Sequence, residues 1–260
     1  MNRKQWALVT GASSGIGMAL AIRFAKAGWH VVLVARDGAR LYALAEIIEA
    51  DFKVRTFVIQ KDLTSRTAAA ELFALLFQND IRIDVLINNA GAGACGLFQG
   101  IPDDKNIQMI DLNIRAVTQL TKLAVDHMLQ YGGGKILNVA STGSYQPGPY
   151  IAVYYASKAY VLSFSQALRK ELKKTGVTVS TLCPGSTATE FSQRAGKADI
   201  RGAMTPEKVA DCAYIGLVKG RAVIIPGFQN KLLIAVSKLL PGSVSAAIVA
   251  RIQRKLFETF

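Results

Sequence analysis

The strongest constraint on this chain is the alternation of short, largely apolar runs with longer stretches of helical periodicity. WALVT (6–10), HVVLVA (30–35), VRTFVIQ (54–60), DVLINN (84–89), KILNVAS (135–141), VTVSTLCP (177–184) and AVIIP (222–226) are rich in β-branched residues. Between them, patterns predict helices over 15–27, 38–50, 65–78, 103–131, 152–174 and 206–218. A strand with one wet face alternates apolar and polar side chains, whereas a strand apolar throughout is covered on both. Such strands, each followed by a helix, predict an α/β fold of about seven parallel strands with helices on both faces. No linker, repeat or low-complexity segment interrupts the 260 residues, so 1–260 is expected to be one domain. A hydrophobic content of 51% is enough for its core.

An eight-fold barrel would alternate in the same way. The turn after the first run, Thr10-Gly11-Ala12-Ser13-Ser14-Gly15-Ile16-Gly17, favours an open, doubly wound Rossmann-type sheet with its ligand at the carboxyl ends of the strands. Gly11 permits a tight turn, Gly15 lets a pyrophosphate approach, and Gly17 lets the helix pack on the sheet. The helix N-terminus supplies free N–H groups and a positive dipole end. Ser13 and Ser14 can add hydroxyl contacts. The spacing is GxxxGxG, and such a cluster alone is also an ordinary tight turn; its position between strand and helix is what points to a dinucleotide.

An NAD-binding fold puts an acid on the ribose 2′-hydroxyl about twenty residues further on. This chain has Ala35-Arg36 there, and a guanidinium can bind a 2′-phosphate with two parallel hydrogen bonds. That favours NADP(H), with NAD(H) still possible. Asp37 is expected to cap the next helix, and Arg40 to add a second cation. Asp62 and Leu63, after the third strand, would fall beside the adenine; Asp62 is also what a helix N-terminus would use.

Tyr154 and Lys158 in VYYASKAY are four residues apart, so on a helix they share one face. A free phenol titrates near ~10, and a neighbouring cation stabilises the phenolate and brings it toward the range of a general acid or base. Taken alone, the pair is also an ordinary helix face with one solvated lysine. Ser141 ends the fifth strand, Asn113 lies in a helix, and Asn89-Ala90-Gly91 follows the fourth strand in a second small-residue turn.

Over about residues 5–226 the chain resembles the short-chain dehydrogenase/reductase family. The resemblance rests on TGASSGIG, Asp62-Leu63, NNAG, Asn113 in DLNIRAV, Ser141 thirteen residues before Tyr154, YYASK, and Pro184-Gly185 followed by Thr189. Of the adjacent tyrosines, only Tyr154 has a lysine four residues on. The resemblance implies an oxidoreductase in which Tyr154 gives a proton to, or takes one from, the substrate oxygen while hydride moves to or from the nicotinamide. It implies that Ser141 hydrogen-bonds that oxygen, that Lys158 holds the nicotinamide ribose and lowers the Tyr154 pKa, and that Asn113 supports a water in a proton relay. Ile16, Asn89, Ala90 and Gly91 would belong to the cofactor site, with Pro184, Gly185, Thr187 and Thr189 near the nicotinamide. Homodimers or tetramers built on helices 113–131 and 152–174 are implied as well.

Substrate choice is expected from segment 93–98, loop 144–150 and a flap over 186–204. Phe98, Tyr145, Tyr150 and Phe191 make these places apolar, so the expected substrate is a hydrophobic carbonyl or alcohol that also meets Ser141. Beyond the shared core, 227–260 predicts two helices broken at Pro241-Gly242. Val244, Ile248, Ile252 and Leu256 form a stripe on the second, among Arg251, Arg254 and Lys255. That extension could cover the cleft or a subunit, rest on an anionic membrane, or cap the core.

The net charge of +13 allows an anionic ligand, an acidic membrane or nucleic acid. Its scatter argues against nucleic acid; the Arg169, Lys170, Lys173, Lys174 cluster falls late in a helix, where cations complement the dipole. Cys95, Cys183 and Cys212 are far apart and odd in number, as in a reducing, cytoplasmic compartment. His30 and His127 are isolated, so no metal is expected. MNRKQWALVTG reads as a first strand, not a secretory leader, and no apolar run reaches the ~18 residues of a membrane span.

Overall fold

The computed structural model describes residues 4–196 and 202–258. Seven strands form one parallel sheet: β1 (Trp6–Thr10), β2 (His30–Ala35), β3 (Thr56–Gln60), β4 (Ile83–Asn88), β5 (Gly134–Val139), β6 (Val177–Leu182) and β7 (Val223–Ile224). Their order is β3-β2-β1-β4-β5-β6-β7. The chain therefore reverses direction across the sheet between β1 and β4, which opens a crevice at their carboxyl ends.

The strands are apolar throughout because both faces are covered. On β2, Val31 and Leu33 join a core under α1 (Gly15–Lys26), α2 (Gly38–Phe52) and α8 (Pro206–Val218). Val32 and Val34 point the other way, toward α3 (Ala68–Gln78) and α5 (Val117–Gln130). Burying a side chain such as Leu33 stabilises the fold by roughly 1.5–3 kcal/mol, so this alternation fixes the strand's facing. Four strand readings are too long at their carboxyl ends: β4 stops at Asn88, β5 at Val139 and β6 at Leu182, and only Val223 and Ile224 of AVIIP pair as β7. Prolines 184 and 226 lack the N–H that a further ladder bond would need.

The helical region at 103–131 is three pieces. α4 (Asp103–Ile110) passes through a π-helical turn (Asp111–Ala116) into α5. Loop 143–149 begins as a 3₁₀ turn (Thr142–Tyr145) capped by Ser141. α6 (Ala152–Glu171) carries Tyr154 and Lys158, and a short α7 (Phe191–Arg194) lies in the flap region. Of the flap reading over 186–204, residues 197–201 lie outside the described residues. The segments around Ser186 and Met204 are stapled by Ala188 N–H donating to Met204 O (2.9 Å) and Met204 N–H to Ser186 O (3.0 Å).

The extension forms α9 (Phe228–Leu239) and α10 (Gly242–Glu258), with Pro241 between them. The apolar stripe read on α10 faces outward: Val244, Ile248 and Ile252 are 43–50% exposed. Ser245, Val249 and Gln253 are buried instead. On α9, Phe228, Leu232, Leu233, Val236 and Leu239 are also exposed. No described helix is long and apolar enough to cross a membrane.

Candidate active site

The crevice between β1 and β4 widens into a cleft of about 960 Å³ at the carboxyl ends of the strands. At its floor, Gly11 has φ +66°, and a Cβ there would stand 2.9 Å from Ala90 Cα. A Cβ on Gly17 would stand 2.0 Å from Gly11 O, so the first turn of α1 can close on the loop only without one. Gly17 thus shapes the turn from behind and does not line the cleft. Thr10 Oγ1 joins the two turns, donating to Ile87 O (3.2 Å) and accepting from the N–H groups of Asn89 and Ala90 (both 3.0 Å).

Gly11, Ser13, Ser14, Gly15 and Ile16 line the cleft where α1 begins. Ser14 is the N-cap but makes no side-chain cap bond, so nothing on its side chain occupies the first N–H groups. Arg36 lines the same end, and Gln60 Nε2 donates to its carbonyl (3.0 Å). Asp37 caps α2, accepting from Arg40 N–H (3.0 Å). Arg40 does not line the cleft. Its Nη1 pairs with Glu190 (2.9 Å) and its Nε with Asp37 (3.4 Å), so carboxylates already hold this expected second cation. Asp62, Leu63, Asn89, Ala90 and Gly91 line the wall, and Asp62 Oδ1 accepts from the backbone and hydroxyl of Thr64 (2.9 Å each). Pro184, Gly185, Thr187 and Thr189 line the opposite side.

Ser141, Tyr154 and Lys158 meet in the cleft from β5 and α6. Ser141 Oγ accepts from Gly143 N–H (3.1 Å), which aims the hydroxyl. Lys158, 5% exposed, donates to Val139 O at 2.8 Å, and its Nζ lies 5.8 Å from the centre of the Tyr154 ring. Burial pushes its pKa down to about 8. Tyr154 departs from the sequence expectation: burial pushes its phenol above the ordinary 10, and a hydrogen bond with Ser141 only partly opposes this. Loss of hydration outweighs that hydrogen bond. The phenol of Tyr154 is thus protonated at neutral pH.

Asn113, fully buried in the π turn, does not line the cleft. Its Oδ1 accepts from Ala92 N–H (2.9 Å), and its Nδ2 donates to Ala92 O (2.9 Å) and Ser157 Oγ (3.0 Å). Ser157 Oγ in turn donates to Tyr154 O (2.7 Å). The side chain expected to support a water is spent on joining the loop after β4 to the helix of Tyr154. π turns concentrate at functional sites, and this one aims a side chain at a neighbouring helix.

Of the expected substrate residues, Phe191 reaches the cleft, its ring 5.3 Å from that of Tyr154. Tyr145 does not: its hydroxyl is 3.8 Å from Cys183 Sγ, and its ring takes Lys238 of α9 at 5.0 Å. Tyr150, at φ +65°, and Phe98 line a separate hollow of about 20 Å³. Sequence reading missed Tyr155, read only as the neighbour of Tyr154, and Gln253, both of which line the cleft. Among the described residues, no group of His, Cys, Asp or Glu could hold a metal.

A family model described as short chain dehydrogenase matches residues 5–199. The chain belongs to the short-chain dehydrogenase family. It is similar to a short-chain dehydrogenase of Sphingobium yanoikuyae solved in complex with NADPH, with 36% identity, a TM-score of 0.82, and 90% of this chain and 94% of that one covered. Very-long-chain 3-oxoacyl-CoA reductase-B of Danio rerio is 35% identical over 220 residues, 82% of this chain and 69% of the relative. The ketoacyl reductase HetN of a Nostoc species is 32% identical over 255 residues, covering 95% of this chain and 87% of the relative. The chain spans 61–69% of the length of the vertebrate very-long-chain 3-oxoacyl-CoA reductases it matches.

Proposed function

We propose that this protein is an NADP(H)-dependent oxidoreductase that reduces the ketone of a hydrophobic acyl compound, a 3-oxoacyl thioester foremost. The observation that carries the reading is the meeting of Ser141, Tyr154 and Lys158 in the cleft that α1's N-terminus opens into. The fit of a dinucleotide rests on the α1 terminus left without a side-chain cap, the Cβ-free floor at Gly11, and Arg36 at the end of β2.

Ser13, Ser14 and the α1 N–H groups would hold the pyrophosphate, Arg36 the 2′-phosphate, Asp62 and Leu63 the adenine side, and Lys158 the nicotinamide ribose. When bound, the reduced nicotinamide supplies the hydride. Ser141 and Tyr154 aim two hydroxyls at the carbonyl oxygen, which becomes alkoxide-like in the transition state, where their hydrogen bonds strengthen most. Tyr154 delivers the proton: burial keeps its phenol protonated at neutral pH until the more basic alkoxide-like oxygen takes it. In the oxidative direction the same groups run in reverse.

The 3-oxoacyl preference is supported by the reductases to which the chain is similar. Residues 186–204 act as the substrate flap and 227–260 as an extension of the single domain. A cytoplasmic homodimer or homotetramer through α5 and α6 is part of this reading. A further reading, peripheral membrane contact, is favoured by the exposed α9 and α10 residues beside Lys231, Lys238 and Arg251.

NADPH oxidation over aldehydes, simple ketones, hydroxysteroid-type ketones and 3-oxoacyl thioesters tests the function. The expected result is the highest kcat/KM with a 3-oxoacyl thioester and a preference for NADPH over NADH. No oxidation with any carbonyl would leave a cofactor-sensing scaffold as the better description.

A further inference from the structure

Tyr155 sits beside Tyr154 but is placed by different contacts. Its ring fills a slot made by two positions without a Cβ: one added at Gly148 would stand 2.3 Å from the ring, and one at Gly143 2.9 Å. The two tyrosine rings meet edge to face with centroids 6.1 Å apart. Gln253 reaches them from α10, ninety-eight residues on, and its Nε2 donates to Tyr155 Oη at 3.2 Å.

In that bond Tyr155 Oη is the acceptor, which leaves its own proton for donation. Gln253 is 5% exposed, and its Oε1 is buried with no partner. An unmet buried acceptor costs about 1–3 kcal/mol, and native folds rarely keep one without a use. Both side chains line the cleft that Tyr154 lines. A rigid phenol donor and an unmet amide acceptor are therefore held next to the reacting group, in a region whose other nearby wall, Phe191, is apolar.

We propose that Tyr155 and Gln253 form a polar subsite for a second oxygen of the substrate. Tyr155 donates to the carbonyl oxygen of the thioester, one methylene from the ketone that Tyr154 protonates. Gln253 Oε1 accepts an N–H or O–H from the polar arm beyond it. The pair selects β-dicarbonyl substrates over simple ketones, and α10 is a wall of the substrate site. This rests on the oxidoreductase reading above and deepens it.

The test compares NADPH oxidation with a 3-oxobutanoyl thioester and with a monoketone of matched length, in the native chain and in Tyr155→Phe, Gln253→Met and Gln253→Glu. Met keeps the length of Gln253 without its polar atoms. Glu has only acceptors and takes the Tyr155 proton for itself. All three variants are expected to lower the preference for the thioester about tenfold, the value of one hydrogen bond, through KM more than kcat. A purely structural role would instead lower both substrates together and leave the ratio fixed. An unchanged ratio in Tyr155→Phe and Gln253→Met overturns the subsite; should Gln253→Met fail to fold, Tyr155→Phe decides alone. No oxidation of either ketone by the native chain overturns the oxidoreductase reading, and the subsite with it.

Discussion

Glu190, the N-cap of α7, holds Arg40 of α2 at 2.9 Å. It also pairs with Arg194, so one carboxylate engages two cations that a phosphate could otherwise attract. Arg36 has no ion-pair partner among the described residues. Arg36→Ala is expected to weaken NADPH binding about ten- to hundredfold while changing NADH much less. Glu190→Ala should act in the opposite direction, tightening NADPH about two- to fivefold, because an exposed pair is worth little. Titration of both cofactors by intrinsic fluorescence checks each; equal losses for the two cofactors in Arg36→Ala would remove it from phosphate recognition.

Tyr154→Phe keeps the ring against Phe191 and removes the proton donor. Turnover is expected to fall by about a thousandfold or more, with NADPH affinity nearly unchanged, since proton transfer and the oxygen's hydrogen bond are lost together. Single-turnover hydride transfer, followed at the nicotinamide absorbance, measures this directly.

Lys158 makes a pH signature. Its folded pKa, about 8, lies below the 10.5 of an exposed lysine. Below pH 8 both folded and unfolded chains carry the proton, and the folded state bears the full cost of a buried charge. Between about 8 and 10.5 only the unfolded chain holds it, so this group's contribution to stability rises with pH, by up to ~3 kcal/mol. Lys158→Met should abolish that rise and also abolish turnover. Urea midpoints from pH 7 to 10 would test it; the same rise in native and variant proteins would assign it elsewhere.

Asn113→Leu leaves the Ala92 N–H and the Ser157 hydroxyl without their amide partner. A destabilisation of about 2–4 kcal/mol is expected, with kcat falling more than KM as the Tyr154 helix loses its tie to the β4 loop. Asn113→Asp retains the acceptor for Ala92 and should recover part of the stability, measured by thermal unfolding.

Replacing Leu232, Val236 and Leu239 of α9 with serine should abolish co-sedimentation with anionic vesicles while leaving the fold intact, since all three are exposed. Retained binding would assign attachment to the basic residues alone, and absence of binding by the native chain would remove the membrane reading.

The sheet was legible because strands buried on both faces need apolar residues at every position, as in HVVLVA. The site was legible where one turn carries one job, as at Gly11 or at Tyr154 with Lys158. Side-chain destinations set by distant packing were not. The periodicity of α10 reveals a stripe through Val244, Ile248 and Ile252 but not that it faces outward, because the direction depends on Ser245 and Val249 finding room against the body. Nothing in the sequence around Gln253 marks it, and only the fold brings it to Tyr155. Tyr145 looked like a cleft residue because its loop is one, yet Cys183 and Lys238 draw it to α9.

α10 has two working sides: Gln253 lines the cleft, and Ile248 and Ile252 stand about half exposed on the outer face. A body that settled on the outer side and shifted the helix would move Gln253, and with it the proposed hold on a ligand. Reciprocity makes the reverse equally true, by the same factor. Bound substrate would then change how firmly the protein adheres, and what the enzyme is attached to would tune what it reduces.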